Sequence, residues 1–221
     1  MRPIILLTVF LAGGALMSLE MASFRLVQPE FGSDIAVWGS LISVFLGGLA
    51  IGAFLGGRWA DSNPGLARLG LLLAVAGAIT LSVPLYSDAV MSRFSGQGAP
   101  LPYEWTSAAP SSGDTLAVYV PPDMRWPALL AGCILFGLPA ILLGMVSPYA
   151  ARLFIREIPH LGAGVGQVYG ISTVGSILGT LGTAFYLISW MGTRWLLTAN
   201  GLLLIGLGLI LTVAGRLRAR P

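Results

Sequence analysis

Six stretches of this sequence are long and apolar enough to cross a lipid bilayer as helices, and this limits the possible folds most. A span needs about 20 mostly apolar residues at a rise of about 1.5 Å each. Charged residues make up only 10% of the chain, too few to cover a water-soluble domain. We therefore predict an all-α membrane protein with a single transmembrane domain over residues 1–221. Its predicted spans are Ile4–Val27, Ile35–Gly57, Leu66–Tyr86, Pro127–Ala151, Val165–Met191 and Trp195–Gly215.

The arginines indicate the orientation of these spans. With both termini inside, arginines are concentrated on the cytoplasmic side, as the positive-inside rule requires. The cytoplasmic arginines are Arg2, Arg58, Arg68, Arg152, Arg156, Arg216, Arg218 and Arg220, and the outer ones are Arg25, Arg93, Arg125 and Arg194. We therefore predict a multi-pass protein of a bacterial inner membrane with cytoplasmic termini. The net charge of +3 is small and scattered, which gives no indication of nucleic-acid binding.

One long connection, Ser87–Trp126, separates the third and fourth predicted spans. The orientation places it on the periplasmic side. It contains the aromatic residues Tyr103, Trp105 and Tyr119. Such a loop is either an interfacial segment with aromatics at headgroup depth or a partly ordered docking surface.

Glycines recur every four residues in two of the spans. Gly48, Gly52 and Gly56 share one helix face in the second span, and Gly175 and Gly179 do so in the fifth. Small residues let helices approach closely in lipid, so we interpret both faces as helix-packing surfaces rather than as a substrate path.

Two sets of three spans predict a further regularity. An odd number of helices reverses the direction of the next set, so a 3+3 inverted repeat follows naturally, as in halves of secondary transporters. Six helices would form half of a major-facilitator-like bundle, and a homo-oligomer is one way to complete it.

Glu20 is the ionisable residue that lies deepest in a predicted span. A charge at membrane depth is costly and suggests a functional site, here for a cation or a proton. The alternative is a buried ion pair with Arg25 that fixes helix register. Gln167, Tyr169 and Thr173 belong to a polar stretch of the fifth span that either lines a cavity or bonds across helices. These five residues form the candidate intramembrane polar site.

The connection between the second and third spans carries Arg58, Asp61 and Arg68 around a turn at Asn63-Pro64-Gly65. We expect Asp61 to accept from Arg58 or from a neighbouring helix N-terminus. The sequence offers no paired carboxylates, no nucleophile with a base and no metal-ligand spacing around Cys133 or His160. We therefore predict neither an enzyme nor a bound metal or cofactor.

Several motifs resemble a known family. Glu20 and Arg25 near the end of the first span, the G-G-R-x-A-D stretch at Gly56–Asp61, the proline-rich stretch at Leu138–Pro148 and the glycine-rich stretch at Gly166–Gly179 follow in order. Together they resemble the membrane domain of the spermidine synthase-like membrane proteins, also described as fused major-facilitator/spermidine synthase proteins. The resemblance covers the membrane module and not the soluble synthase domain.

The resemblance implies a membrane module without catalytic activity of its own. One hypothesis is a transporter-like module for a small cationic or amphipathic molecule. The other is a non-transporting anchor or structural subunit of a larger membrane complex, docking a separately encoded synthase-like protein. The expected partners are the lipid bilayer and either a second copy or a membrane or soluble protein.

Overall fold

The computed structural model describes residues 2–62, 64–95, 124–155 and 161–218, and nearly all of these are helical. The helices form a single bundle with no strand in these ranges. Two short π-helical segments, Cys133–Gly137 and Thr183–Leu187, interrupt the α-helices. The α-helices are α1 Arg2–Phe31, α2 Ile35–Ser62, α3 Leu66–Ser95, α4 Arg125–Gly132, α5 Leu138–Phe154, α6 Leu161–Gly182 and α7 Ile188–Arg218.

Several helices run further than the hydropathy pattern predicts. Helix α2 continues into the predicted loop as far as Ser62, and Pro64 and Gly65 lie outside the helices. Helix α3 continues to Ser95, so the first nine residues of the predicted 87–126 loop are helical. The aromatic residues expected in that loop, Tyr103, Trp105 and Tyr119, lie outside the described residues.

Five helical stretches in the described ranges have the length and composition needed to cross a membrane. The longest covers Leu161–Leu217, 57 residues, about 85 Å at the rise of an α-helix and far more than a bilayer is thick. It is divided by a kink at Gly192, where φ is 71° and ψ is 166°. Glycine adopts this conformation without the steric penalty of a Cβ. The kink separates α6 and its π segment from the remainder of α7.

Helices α1 and α6 pack side by side and run in the same direction. Phe10 contacts Gly175, Gly14 contacts Gly179, and Ser18 is hydrogen-bonded to Thr183, so the same register is kept over two turns. A Cβ added at Gly179 would lie 2.6 Å from the Cα of Gly14. The backbones are therefore in direct contact.

The remaining long helices form two further pairs. Helix α2 runs parallel to α5, and a Cβ at Gly52 would lie 2.9 Å from the Cα of Gly144. Helix α3 runs antiparallel to α7, with Gly70 beside Gly208 and Gly77 beside Gly201. We call these three contacts the α1–α6, α2–α5 and α3–α7 seams.

The surface of the bundle is strongly apolar. Leu85 is 86% exposed, Trp190 82% and Phe54 74%. The interior holds large side chains such as Phe45 and Tyr149, which are fully buried. Exposed apolar side chains on long helices suggest a protein whose exterior is solvated by lipid.

Both ends of the bundle are recognisable from side-chain contacts. The guanidinium of Arg2 lies over the ring of Phe154, which brings the start of α1 to the end of α5. We call this the N-terminal end. Ser40 donates to the carbonyl of Arg125 at 3.2 Å, which joins the starts of α2 and α4 at the opposite end.

Candidate functional site

A cavity of about 280 Å³ lies at mid-depth of the bundle, between the α1–α6 seam and the α2–α5 seam. Its walls are mainly apolar, with hydroxyl groups from α5 and α6. Pockets of this kind, apolar with a few placed polar groups, are typical of small-molecule sites. The polar side chains that line it are Ser147, Tyr169, Ser172 and Ser176.

The hydroxyl groups of this cavity lie close together. The Oγ atoms of Ser147 and Ser172 are 3.4 Å apart, across the gap between α5 and α6. Ser176 donates to the carbonyl of Gly13 at 3.2 Å. These serines therefore connect the helices and still line the cavity.

Pro148 forms part of the wall of the same cavity and leaves one backbone acceptor of α5 without its helical donor. A proline within a helix has no N–H, so the carbonyl four residues earlier, that of Gly144, lacks its helical donor. Both Gly144 and Pro148 line the cavity. A bound molecule would meet the hydroxyls, and no charged side chain lines the cavity among the described residues.

Glu20 lies just beyond the cavity, on the same face of α1. Gly13 and Met17 line the cavity, and Glu20 follows Met17 by three residues, so it lies about one turn nearer the opposite end. Its side chain is half-buried, and among the described residues no ion pair or hydrogen bond reaches its carboxylate. Phe24 continues this face and contacts Trp38 of α2, with ring centroids 4.7 Å apart.

The structure does not bring the five predicted site residues together. Gly175 contacts Phe10, and Gln167 lies eight residues before Gly175 on the parallel helix α6. Gln167 is therefore level with the start of α1, about 27 Å along the helix axis from Glu20. Thr173 is exposed and donates to the carbonyl of Tyr169 in its own helix at 2.9 Å. Only Tyr169 of this group lines the cavity, and it is 44% exposed.

Arg25 is exposed near the opposite end, beyond Glu20 on α1. The structure shows no ion pair between the two within the described ranges, although the sequence made Arg25 the obvious partner. Arg25 instead lines a separate groove between α1, α3 and α7.

A buried hydrogen-bonded node, absent from the sequence prediction, links three helices. Thr183 donates to the Oγ of Ser18 at 2.8 Å, and Asn200 donates to the same oxygen at 2.9 Å. Asn200 also donates to the carbonyl of Leu196 at 3.1 Å. The node joins α1, the π segment after α6, and α7. An amide within the apolar run of the last span was the sequence signal that could have found it.

All the glycines predicted for packing lie against a neighbouring helix. Gly48, Gly52 and Gly56 face α5, and Gly175 and Gly179 face α1. The α3–α7 seam uses the same arrangement, which the sequence analysis did not single out. There the glycines are Gly70, Gly77, Gly201, Gly208 and Gly215.

At the N-terminal end, Asp61 pairs with Arg152, which the sequence placed on the same side of the membrane but did not identify as its partner. Arg152 donates from Nε to Oδ1 of Asp61 at 3.1 Å and so ties α5 to α2. Arg58 and Arg68, predicted as neighbours of Asp61, are both exposed. Trp59 contacts Tyr149 edge to face at 5.5 Å, beneath the pair.

Comparisons with known proteins do not identify the chain. No protein-family model, no curated protein and no solved structure matches it. Within the described residues, no group of three or more His, Cys, Asp or Glu side chains is placed to hold a metal ion. Cys133 is exposed, and His160 lies outside the described residues. The site is therefore defined by the cavity and its neighbours alone.

Proposed function

We propose that this protein is a transporter-like membrane module that binds a small amphipathic molecule in the mid-depth cavity. The observation that carries the proposal is a cavity with four hydroxyl-bearing side chains between two helix pairs of an otherwise apolar bundle. Hydrogen-bonding groups at membrane depth are costly unless they are satisfied, so a cavity that gathers them suits a ligand that satisfies them in turn.

The helix pairing supports a six-span, 3+3 inverted repeat. One set would be α1, α2 and α3, and the other would be the α4–α5 unit, α6 and α7, with the kink at Gly192 dividing the last two spans. In this repeat α1 corresponds to α5, α2 to α6 and α3 to α7. Exchanging corresponding helices turns the α1–α6 seam into the α2–α5 seam and leaves the α3–α7 seam unchanged. Each exchanged pair is parallel, and the second helix of each set carries the packing glycines.

The location of the cavity fits such a repeat. It lies between the two exchanged seams, and binding sites of inverted-repeat transporters lie near the bilayer midplane at the repeat interface. The positive charges indicate how the bundle is oriented in the membrane. The N-terminal end of the bundle carries five arginines, which favours a cytoplasmic location for that end in a bacterial inner membrane. These are Arg2, Arg58, Arg68, Arg152 and Arg216.

The substrate class follows from the lining and from Glu20. The apolar walls and neutral hydroxyls suit an uncharged body, and the carboxylate one turn away suits an amine at one end of the molecule. An amphipathic amine is therefore favoured over a small, fully hydrated cation.

Uptake of dansylcadaverine, a fluorescent amphipathic primary amine, into proteoliposomes tests this proposal. We expect Glu20→Gln to reduce uptake to less than about a tenth, since loss of a charge-assisted interaction costs about 1.5–3 kcal/mol. The matched control is Asp34→Asn, an exposed carboxylate outside the cavity, which should retain uptake. Equal uptake by Glu20→Gln and wild type would reject Glu20 as part of the site. No protein-dependent uptake by wild type would count against transport of this substrate class.

A second candidate is the non-transporting subunit of a larger membrane complex. The favouring observation is a face of α6 that no other described helix covers: a Cβ added at Gly162, Gly166 or Gly170 would meet nothing within 4 Å. Glycines spaced by four residues permit close approach of another helix. Purification in mild detergent distinguishes the two candidates, because a subunit should co-purify with a stoichiometric partner. Gly166→Leu should release that partner. The control Gly57→Leu, at an open site on α2, should retain it.

A further inference from the structure

A second cavity lies at the opposite end of the bundle, apart from the site described above. It is a groove of about 460 Å³ between the end of α1, the outer part of α3 and the kink of α7. Its apolar lining includes Leu26, Met91 and Met191, and Trp195 stands at its side with 69% of its surface exposed. A groove of this size holds more than a single ion.

Four charged side chains converge on this groove. Two of these side chains form an ion pair, because Arg194 on α7 donates from Nη2 to both carboxylate oxygens of Asp88 on α3. This pair closes one wall and contributes little net charge.

The other two charges lie on α1. Arg25 and Glu30 both line the groove, and neither has an ion-pair partner among the described residues. The groove therefore presents one cationic and one anionic group above an apolar floor. A ligand that matches it has an anionic group and an amine a few bonds apart, joined to an apolar body.

We propose that this groove binds the headgroup of a phosphatidylethanolamine-type lipid, with the phosphate on Arg25 and the ammonium on Glu30. Guanidinium binds phosphate through paired, charge-assisted hydrogen bonds, and a primary ammonium can donate to a carboxylate, which a quaternary ammonium cannot. Trp195 suits the headgroup depth of a bilayer. The methionines of the floor, which are adaptable apolar side chains, would meet the first part of the acyl chains.

This inference rests on the membrane location in the proposed function but not on transport. The two are separable, because Glu20→Gln, which tests the mid-depth cavity, should retain lipid like wild type. Both Arg25 and Glu30 are exposed, so substituting them should leave the melting temperature unchanged. If the melting temperature is unchanged, any loss of bound lipid in these variants reflects the change in the groove and not unfolding of the protein.

Native mass spectrometry of delipidated protein, incubated with one lipid at a time, tests the proposal. Wild type should retain phosphatidylethanolamine about tenfold more than phosphatidylcholine or phosphatidylglycerol, the ratio expected for one additional charged hydrogen bond. Arg25→Gln and Glu30→Gln should each remove that preference. The control is Arg93→Gln, an exposed arginine of α3 that does not line the groove, which should leave it unchanged.

Three results would overturn the assignment. The first is equal retention of phosphatidylglycerol by wild type, which would show that the amine contributes nothing. The second is unchanged retention of phosphatidylethanolamine by Arg25→Gln. The third is full displacement by equimolar soluble phosphoethanolamine, which would identify a free zwitterion rather than a lipid as the ligand.

Discussion

The α3–α7 seam and the α1–α6 seam both bring backbone against backbone at glycines, but they differ in direction and in the number of side-chain hydroxyls that cross them. The α3–α7 seam is antiparallel and glycine-lined on both sides, so backbone meets backbone over its length. The α1–α6 seam is parallel, and beyond its glycine contacts it is held by the hydroxyls of Ser18, Ser176 and Thr183. The mid-depth cavity adjoins this hydroxyl-rich seam and not the α3–α7 seam.

The comparison shows what each kind of contact permits. Glycine contacts fill all the space between two helices and gain their stability from dispersion, which is lost if the backbones separate. Hydroxyl contacts, in contrast, can exchange one hydrogen-bond partner for another. We infer that the α3–α7 seam is a fixed part of the bundle, and that the hydroxyls beside the cavity are the groups that can change partners.

The largest effect is expected from a side chain forced into the fixed seam. Gly208→Leu should lower the free energy of unfolding by about 3 kcal/mol or more, or prevent recovery of folded protein, because its Cβ would lie 2.5 Å from the backbone nitrogen of Ala74. Thermal unfolding in detergent, followed by circular dichroism, measures the change. Gly206→Leu, on the same helix with nothing within 4 Å, should change stability by less than about 0.5 kcal/mol. Similar losses in both variants would contradict a tight α3–α7 contact.

An intermediate effect is expected at the node that joins the two regions. Asn200→Leu removes the hydrogen bonds to Ser18 and Leu196, and should cost about 1–2 kcal/mol in the same unfolding assay. The matched control is Thr198→Val, because the Thr198 hydroxyl bonds only the Arg194 carbonyl of its own helix, at 3.0 Å. An Asn200→Leu variant as stable as wild type would show that packing alone holds these helices.

The smallest effect is expected at the end of the α2–α5 seam where Asp61 pairs with Arg152. Asp61→Asn removes the charge that pairs with Arg152. The Asp61 side chain is 76% exposed and the Arg152 side chain 51%, and exposed ion pairs contribute at most about 1 kcal/mol. The difference from wild type should be below about 0.5 kcal/mol and should disappear in 0.5 M NaCl, since salt screens exposed charges. A larger loss that persists in salt would mean that this pair, rather than the glycine contacts, holds α2 to α5.

The helices were predictable because apolar length alone identifies them, but their ends were not. The end of α2 depends on the turn at Pro64, and the outer end of α3 lies in a polar stretch with no apolar signal. The π segments Cys133–Gly137 and Thr183–Leu187 have no hydropathy signature, because their composition is that of the helices around them.

The candidate site was only partly predictable for a related reason. The regular spacing of polar residues on α6 marked one helix face, which was expected either to line a cavity or to bond across helices, and Tyr169 of that face lines the cavity. Ser147 is a single serine in an apolar run of α5, and only tertiary packing brings it within 3.4 Å of Ser172. Glu20 and Gln167 were grouped because both are polar, but hydropathy gives no distance along the bundle axis.

The kink at Gly192 has a consequence for biogenesis. In the proposed topology the last two spans meet at this corner without an intervening loop. We expect them to leave the translocon together as a helical hairpin. The register between them would then be set at the moment of synthesis, before either meets α1 or α3.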